Sequence, residues 1–243
     1  MNVKPLEFTV NGLKLRGQIY FAEKPKNLAI LFLHGWTGPT NGFAAENMAK
    51  NGFTSMIFSL SGHNDSEGKL EDQTREKSLQ EILAAYDLFK KELPPNSQIA
   101  AVGNSYGGYF AAVLSAERPL AAISMRVPAN YRDDLFNEQQ LKQSGDIDED
   151  VMKWRQLPLG KEDTRALRAV SNFDAPIQII EAENDEFVPH QTVQNYVDAV
   201  KDKSQLDYHF MKGWPHSIGD SMERNKQFQQ ILLKWAKSVK NSL

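Results

Sequence analysis

The 243-residue chain has no cysteine, which excludes disulfide bonds, thiolate nucleophiles and cysteine-based metal sites. It also has no long apolar segment, because the longest apolar run, Leu28 to Leu33, is far shorter than the roughly 20 residues that a membrane-spanning helix needs. The N-terminal residues lack the apolar core of an export signal. We therefore expect no membrane span, and we expect the protein in the cytoplasm.

Positive charge is not in excess, and nucleotide and metal motifs are missing. The 28 basic and 31 acidic residues give a formal net charge of -3 and are spread along the chain, so a nucleic acid is not an expected partner. The histidines are scattered, and the sequence has neither a phosphate-binding P-loop nor a G-x-G-x-x-G motif. We expect no cofactor and no metal ion. The sequence carries no signal for an oligomeric state.

Composition and patterning are those of a globular protein with alternating strands and helices. Hydrophobic residues make up 41% of the chain and charged residues 24%, and the length suits a single domain, residues 1–243. At the N-terminus, Asn11-Gly12 separates two apolar-rich segments, which predicts an antiparallel hairpin. The short apolar runs that follow suit strands buried on both faces, and they are Leu28 to Leu33, Thr54 to Leu60, Gln98 to Val102, Leu120 to Val127, Pro176 to Glu181 and Gln205 to Met211.

Between these runs lie segments with helical spacing of their apolar residues, namely Thr74 to Leu93, Tyr106 to Arg118, Gln191 to Lys201 and Ser221 to Val239. Alternation of strand and helix implies right-handed crossovers. The sequence therefore predicts an α/β fold with a mostly parallel, doubly wound sheet, preceded by the antiparallel hairpin.

Residues 129–174 interrupt this alternation, because they separate two predicted strands by far more than one crossover helix. Their charged segments predict two or three short helices. Ligands of such sheets bind beyond the carboxyl ends of the strands, so we expect a small helical cap insertion over that crevice. The alternative is an ordinary pair of surface helices. Apolar residues that could form a substrate wall in this segment are Tyr131, Leu135, Phe136, Met152 and Trp154.

The strongest motif is Gly103-Asn104-Ser105-Tyr106-Gly107, which lies between a predicted strand and a predicted helix. A G-x-S-x-G elbow in this context turns sharply and exposes the serine hydroxyl at the edge of the sheet, next to a helix N-terminus. The alternative is a glycine-rich turn that contains a serine by chance. We expect Ser105 to be a nucleophile.

A serine hydroxyl needs a base to become nucleophilic, and the base needs an orienting group. His216 lies in a loop between the last predicted strand and the last predicted helix, from which an imidazole can reach the sheet edge. A surface histidine is the alternative interpretation of His216. We interpret the other four histidines as structural, surface or loop residues: His34, His63, His190 and His209. His216 is therefore the predicted base.

The orienting acid is expected in the loop after the strand that ends near Glu181. Several carboxylates compete there. Asp185 lies three residues past the strand end and is the predicted acid, Glu183 is the second candidate, and Glu186 is read as a solvated charge. The chain order Ser105, Asp185, His216 matches the order in hydrolases that have the elbow.

An oxyanion hole needs two N–H donors aimed at the oxygen that gains charge in the tetrahedral intermediate. The backbone N–H of Tyr106, directly after the nucleophile, is one candidate. The other is the backbone N–H of Trp36, in the loop His34-Gly35-Trp36-Thr37-Gly38 after an early strand. A glycine-rich loop with a packed tryptophan is the alternative reading of that segment.

With these motifs in order, the chain from about Leu13 onward resembles the α/β-hydrolase superfamily, and within it the small bacterial esterases and acyl-ester lipases that carry HGxTG. The resemblance implies Ser105 as nucleophile, Asp185 as acid, His216 as base, and Trp36 and Tyr106 as oxyanion-hole donors. Two departures stand out. Relatives often have an Asp-x-Arg-Gly-His-Gly-x-Ser loop where this chain has residues 59–66, SLSGHNDS, and a glycine where it has Ala182.

The expected function is hydrolysis of small carboxylic esters through an acyl-enzyme intermediate, with a small-molecule ester as the partner. Two alternatives stay open: an amidase or peptidase with the same triad, and a non-catalytic ligand-binding module that retains the fold. Arg126 and Arg132, at the start of the predicted cap, could meet a substrate carboxylate, and solvation or a salt bridge is the alternative for both.

Overall fold

The computed structural model describes residues 1–140 and 149–243. Within these residues one sheet contains eight strands. They are β1 (Asn2–Val10), β2 (Leu13–Phe21), β3 (Leu28–Leu33), β4 (Ser55–Phe58), β5 (Gln98–Asn104), β6 (Ala122–Arg126), β7 (Ile177–Asn184) and β8 (Leu206–Pro215).

Seven α-helices accompany the sheet in the described part of the chain. They are α1 (Gly42–Lys50), α2 (Arg75–Glu92), α3 (Tyr106–Glu117), α4 (Glu149–Arg155), α5 (Arg165–Ser171), α6 (His190–Ala199) and α7 (Met222–Ser242). Side-chain caps fix three of their starts, because Thr74, Thr164 and Ser221 each accept a hydrogen bond from the backbone N–H three residues on. No helix in this part of the chain is long and apolar enough to span a membrane.

The sheet has the order β1-β2-β4-β3-β5-β6-β7-β8 and is parallel from β4 to β8. Only the pairs β1–β2 and β2–β4 are antiparallel. The turn between β1 and β2 has positive φ at both Asn11 (50°) and Gly12 (81°), as a type I′ hairpin requires. The predicted mostly parallel sheet with an N-terminal antiparallel hairpin is confirmed.

Two apolar layers cover the two faces of the sheet, and β3 contributes side chains to both of them. Its side chains alternate between them, so that Leu31 packs in the layer formed with α2, α3, α5 and α6, while Ile30 and Phe32 pack in the layer formed with α1 and α7. All six residues of β3 are buried. A strand covered on both faces has a continuous apolar sequence, which is the pattern from which it was predicted.

Helix α1 was not among the predicted helices. This helix has only nine residues, and its cap residue Asn41 has a left-handed backbone (φ 63°) with no side-chain capping bond, so the cap that an asparagine usually makes is absent. Residues 129–174 contain α4, α5 and a 3-10 turn at Asp133–Leu135. Residues 141–148 of the predicted cap lie outside the described residues. Helix α5 packs within the main apolar layer through Leu167 and Val170.

His34 ties together the carboxyl ends of two neighbouring strands. It follows β3 and is 2% exposed. Its Nε2 accepts a hydrogen bond from the Leu60 amide (3.1 Å), and its Nδ1 donates to the Gly35 carbonyl (2.8 Å). Because Nε2 must accept, the imidazole is neutral. Burial is the main cause that lowers the pKa of His34 to about 4, and the neighbouring His63 adds to it.

We expect Gly107→Ala to destabilise the fold. A Cβ on Gly107 would overlap the backbone carbonyl of Leu33, so α3 would have to move away from β3, at a cost of about 2 to 4 kcal/mol in the free energy of unfolding. Gly160→Ala is the control, because a Cβ there makes only ordinary contacts. Urea unfolding measures both variants, and equal stability of the two would contradict the expectation.

We expect His34 to make the fold less stable at mildly acid pH. The unfolded imidazole has a pKa near 6.5, whereas folded His34 takes up a proton only near pH 4. The unfolded state therefore binds more protons, and stability falls as pH drops from 6.5 to 4, by about 2 kcal/mol at pH 5. In urea unfolding, the stability advantage of the wild type over His34→Asn should shrink by that amount between pH 7 and pH 5. A constant advantage would contradict this account.

Candidate active site

The turn between β5 and α3 holds Ser105 in a strained backbone conformation, with φ 52° and ψ -111°. A Cβ on Gly103 would overlap the carbonyl of Gly107, and one on Gly107 would overlap β3, so the elbow needs glycine at both positions. The Ser105 amide donates to the Arg126 carbonyl of β6 (2.9 Å). A non-glycine residue at positive φ costs on the order of 1–3 kcal/mol and concentrates at functional sites.

Asp185 and His216 come together from loops at the carboxyl ends of β7 and β8. The imidazole Nδ1 lies 2.8 Å from Asp185 Oδ1 and 2.7 Å from Oδ2. Oδ1 also accepts the backbone N–H groups of Phe187 (2.9 Å) and Val188 (2.7 Å). The carboxylate is 3% exposed and the imidazole 16%. These bonds fix the carboxylate and leave Nε2 of His216 as the imidazole nitrogen that does not face Asp185.

The two competing carboxylates contact backbone rather than the imidazole. Glu183 accepts the Gly213 amide (2.6 Å), and Glu186 lies 3.4 Å from the His216 amide as a weak acceptor. Both residues are exposed. Of these three candidates, Asp185 is the one bonded to the His216 ring.

The remaining histidines have partners elsewhere. His190 pairs with Glu181 (2.6 Å) and His209 with Asp207 (3.0 Å). His63 is buried, and its Nδ1 donates to the Ser61 carbonyl (3.0 Å). Burial lowers the pKa of His63. These residues therefore have the structural, surface or loop positions that the sequence analysis assigned to them.

The two predicted oxyanion-hole residues are neighbours. The rings of Trp36 and Tyr106 meet edge to face with centroids 5.2 Å apart. The centroids of the Trp36 and His63 rings are 4.9 Å apart. Tyr106 is the first residue of α3, so its amide has no acceptor inside the helix. Among the described residues no protein acceptor pairs with the Trp36 amide. Within the described residues, neither amide is therefore engaged by a protein acceptor.

Glu81 organises the loop of residues 59–66, where the sequence departs from the resembling family. This residue of α2 is 3% exposed. Its carboxylate accepts the Ser61 amide (2.9 Å) and hydroxyl, and the Gln73 side-chain amide (3.2 Å). Burial raises the pKa of Glu81, and these hydrogen bonds oppose the shift. Glu81 was not among the predicted functional residues, although a charge between Leu79 and Ile82 on the apolar face of α2 was a signal for it.

The two arginines at the start of the predicted cap have different surroundings. Arg132 is exposed and pairs with Asp134 (2.6 Å). Arg126 is buried, and it donates to the His216 carbonyl (2.8 Å) rather than to a carboxylate. No cluster of three or more histidine, aspartate or glutamate residues in the described part of the chain is arranged to hold a metal ion.

Comparisons with known proteins agree with this architecture. A family model described as alpha/beta hydrolase fold matches residues 29–122. A search of curated proteins found no match. Among solved structures, the chain is similar to Est1E from Butyrivibrio proteoclasticus with bound ferulic acid (TM-score 0.69, 19% identity, 96% of this chain and 99% of that one).

Two further structures are similar over nearly the whole chain. The Pyrococcus furiosus esterase Pf2001 has a TM-score of 0.67 at 19% identity, covering 98% of this chain and 92% of that one. The Paleococcus ferrophilus monoacylglycerol lipase has a TM-score of 0.67 at 16% identity, covering 98% and 100%. The sheet order, the elbow at its carboxyl edge and these matches lead to one conclusion: the chain has the α/β-hydrolase fold.

Proposed function

We propose that the protein is a serine hydrolase that cleaves small carboxylic esters through an acyl-enzyme intermediate. In this proposal Ser105 is the nucleophile, His216 the general base and Asp185 the orienting acid. The observation that carries the proposal is the Asp185–His216 pair, whose carboxylate is 3% exposed and also accepts two backbone amides. A surface histidine that had no catalytic task would not need an acid fixed so firmly.

The chemistry follows from the hydrogen bonds of the imidazole. Asp185 accepts the proton on Nδ1, which selects the tautomer with a free lone pair on Nε2. Nε2 then removes the proton from the Ser105 hydroxyl as its oxygen attacks the ester carbonyl, and the resulting imidazolium faces a carboxylate. The imidazolium next protonates the departing alcohol. Water then attacks the carbonyl of the acyl-enzyme while Nε2 takes its proton, and that proton passes to the Ser105 oxygen as the bond from this oxygen to the acyl group breaks and the acid leaves.

The amides of Trp36 and Tyr106 are the proposed donors to the oxyanion. Neither is engaged by a protein acceptor among the described residues, so both can bond to the oxygen without first breaking another bond. Helix α3 begins at Tyr106, and the positive end of its dipole adds to the stabilisation.

An ester is the proposed substrate class, and three named neighbours support it. They are described as an esterase, a monoacylglycerol lipase and a protein with bound ferulic acid. A panel of p-nitrophenyl esters graded by acyl length and aromaticity, run beside matched p-nitroanilides, tests the class. Turnover of esters in excess over anilides is expected, and the reverse preference would replace the proposal with an amidase.

Ser105→Ala is expected to lose ester turnover by at least about 10³-fold, because no other group in the proposal can form the acyl-enzyme. The same variant should no longer react with a fluorophosphonate probe. Ser115→Ala is the matched control, since Ser115 lies in α3 and its hydroxyl donates only to the Ala112 carbonyl. Equal turnover by the two variants would remove Ser105 from the mechanism.

Asp185→Asn is expected to lower kcat by about 10³- to 10⁴-fold, because the amide NH2 would favour the tautomer of His216 with its proton on Nε2 and a neutral amide cannot stabilise the imidazolium. Glu183→Gln and Glu186→Gln are the controls, and each should stay within about threefold of the wild type since neither carboxylate contacts the imidazole. Steady-state kinetics on the best ester of the panel decides. A larger loss in Glu183→Gln than in Asp185→Asn would transfer the role to Glu183.

A further inference from the structure

Arg126 contacts both the proposed nucleophile and the proposed base. It is the last residue of β6 and is 7% exposed. Its backbone carbonyl accepts the Ser105 amide (2.9 Å), and its guanidinium Nη1 donates to the His216 carbonyl (2.8 Å). A single residue therefore joins the elbow to the loop that carries the imidazole.

The other bonds of the guanidinium reach the elbow as well. Nε donates to Asn104 Oδ1 (3.2 Å), and the Asn104 amide in turn donates to Asn41 Oδ1 (2.8 Å), at the end of the loop that begins at His34. The guanidinium carbon lies 5.9 Å from the ring centroid of Phe228 in α7. The side chains of Arg126 and Asn104 thus connect the end of β5 with the loops after β3 and β8.

The backbone that carries Arg126 is held firmly. Val127, the next residue, is fully buried at φ 44°, a conformation that a β-branched residue rarely adopts. Its amide donates to the Ile180 carbonyl of β7 (2.8 Å), and the Ala129 amide donates to the Ser105 carbonyl (3.2 Å). Strain of this kind persists only where the surroundings over-determine it. The backbone from which the Arg126 side chain extends is therefore fixed.

We propose that Arg126 is a positioning residue that keeps residues 216–221, the base loop, in register with the nucleophile elbow by holding the carbonyl of His216. The inference rests on the proposed function, because it assigns a task to Arg126 in the same reaction. Asp185 fixes the imidazole ring from one side. Arg126 fixes the backbone of the same residue through its carbonyl, so both the ring and the main chain of His216 are held.

The charge of Arg126 suits this task. Burial lowers the pKa of Arg126 to about 10, and the nearby Asp185 opposes the shift, so the guanidinium stays protonated at neutral pH. A buried cation needs hydrogen-bond acceptors, and here they are the His216 carbonyl and the Asn104 side chain. Lysine offers a single point of attachment, whereas the planar fork of arginine reaches both acceptors in a fixed geometry.

Arg126→Met is the first test. We expect kcat for the best ester to fall about 10- to 100-fold with KM within about threefold, because the change displaces the base without touching a substrate contact. Arg118→Met is the control and should leave both constants unchanged. Arg118 directly follows α3 and pairs with Asp87 of α2. A kcat within twofold of the control, or a higher KM at unchanged kcat, would overturn the inference.

Rescue separates positioning from general loss of structure. Arg126→Ala in millimolar guanidinium chloride should regain at least a third of the lost kcat, and the same concentration of sodium chloride should not restore it. Arg126→Lys, which keeps the charge and most of the packing, should lose less than Arg126→Met and serves as the comparison if Arg126→Met does not fold. Absence of guanidinium rescue in folded Arg126→Ala would overturn the inference.

A measurement without substrate distinguishes this inference from the proposed function. Hydrogen exchange in residues 216–221, followed by mass spectrometry, should be at least threefold faster in Arg126→Met than in Arg118→Met. If the wild type cleaves no ester but this difference is found, the proposed function fails, and the hold of Arg126 on the base loop stands. If esters are cleaved and the exchange is unchanged, the hold of Arg126 on the base loop fails, and the proposed function stands.

Discussion

The geometry at the carboxyl edge of the sheet depends on one close approach of backbone to backbone. Helix α3 begins directly against β3 and β5, and at Gly103 and Gly107 there is no space for a Cβ. This approach forces the chain through the positive φ of Ser105, which costs on the order of 1–3 kcal/mol. The packing of α3 on both strands offsets that cost, since its residues Tyr109, Phe110 and Leu114 are fully buried.

Once the elbow is fixed, the parallel sheet brings distant segments of the chain to it. Strands β7 and β8 end at the same edge, so residues 31 positions apart, Asp185 and His216, lie within hydrogen-bond distance. The last residues of β5 and β6 are paired in register, which puts Arg126 beside Asn104. Parallel strands place all their carboxyl ends on one side. The candidate site is therefore a consequence of topology as much as of any one loop.

The sequence predicted most of the fold because its signals are local. Continuous apolar runs identified the inner strands, and Asn11-Gly12 identified the hairpin. Helix α1 was missed because its nine residues are too few to show a clear helical period. Asp185 was separated from Glu183 only by its place in the loop, and in the structure Asp185 is the one of the two that contacts the His216 ring.

Glu81 and Arg126 could not be assigned from sequence, because their partners lie far away along the chain. Glu81 reaches Ser61, twenty residues earlier, and Arg126 reaches His216, ninety residues later. Neither contact follows from periodicity or from a motif. In each case the sequence shows only a charged residue among positions predicted to be buried. Such a residue needs a polar partner, but the sequence does not identify that partner.

These two buried charges support the site from opposite faces of the sheet. Glu81 belongs to α2, which packs with α3, and it holds the loop after β4, whereas Arg126 contacts Phe228 of α7 and holds the loop after β8. Removing a charge from water is unfavourable, and an apolar side chain would fill either position at lower cost. An apolar side chain, however, cannot hold a backbone carbonyl or amide in one direction. Directional hydrogen bonds from inside the core can therefore fix two loops to the sheet, which is what the proposed base would require in order to stay within reach of one hydroxyl.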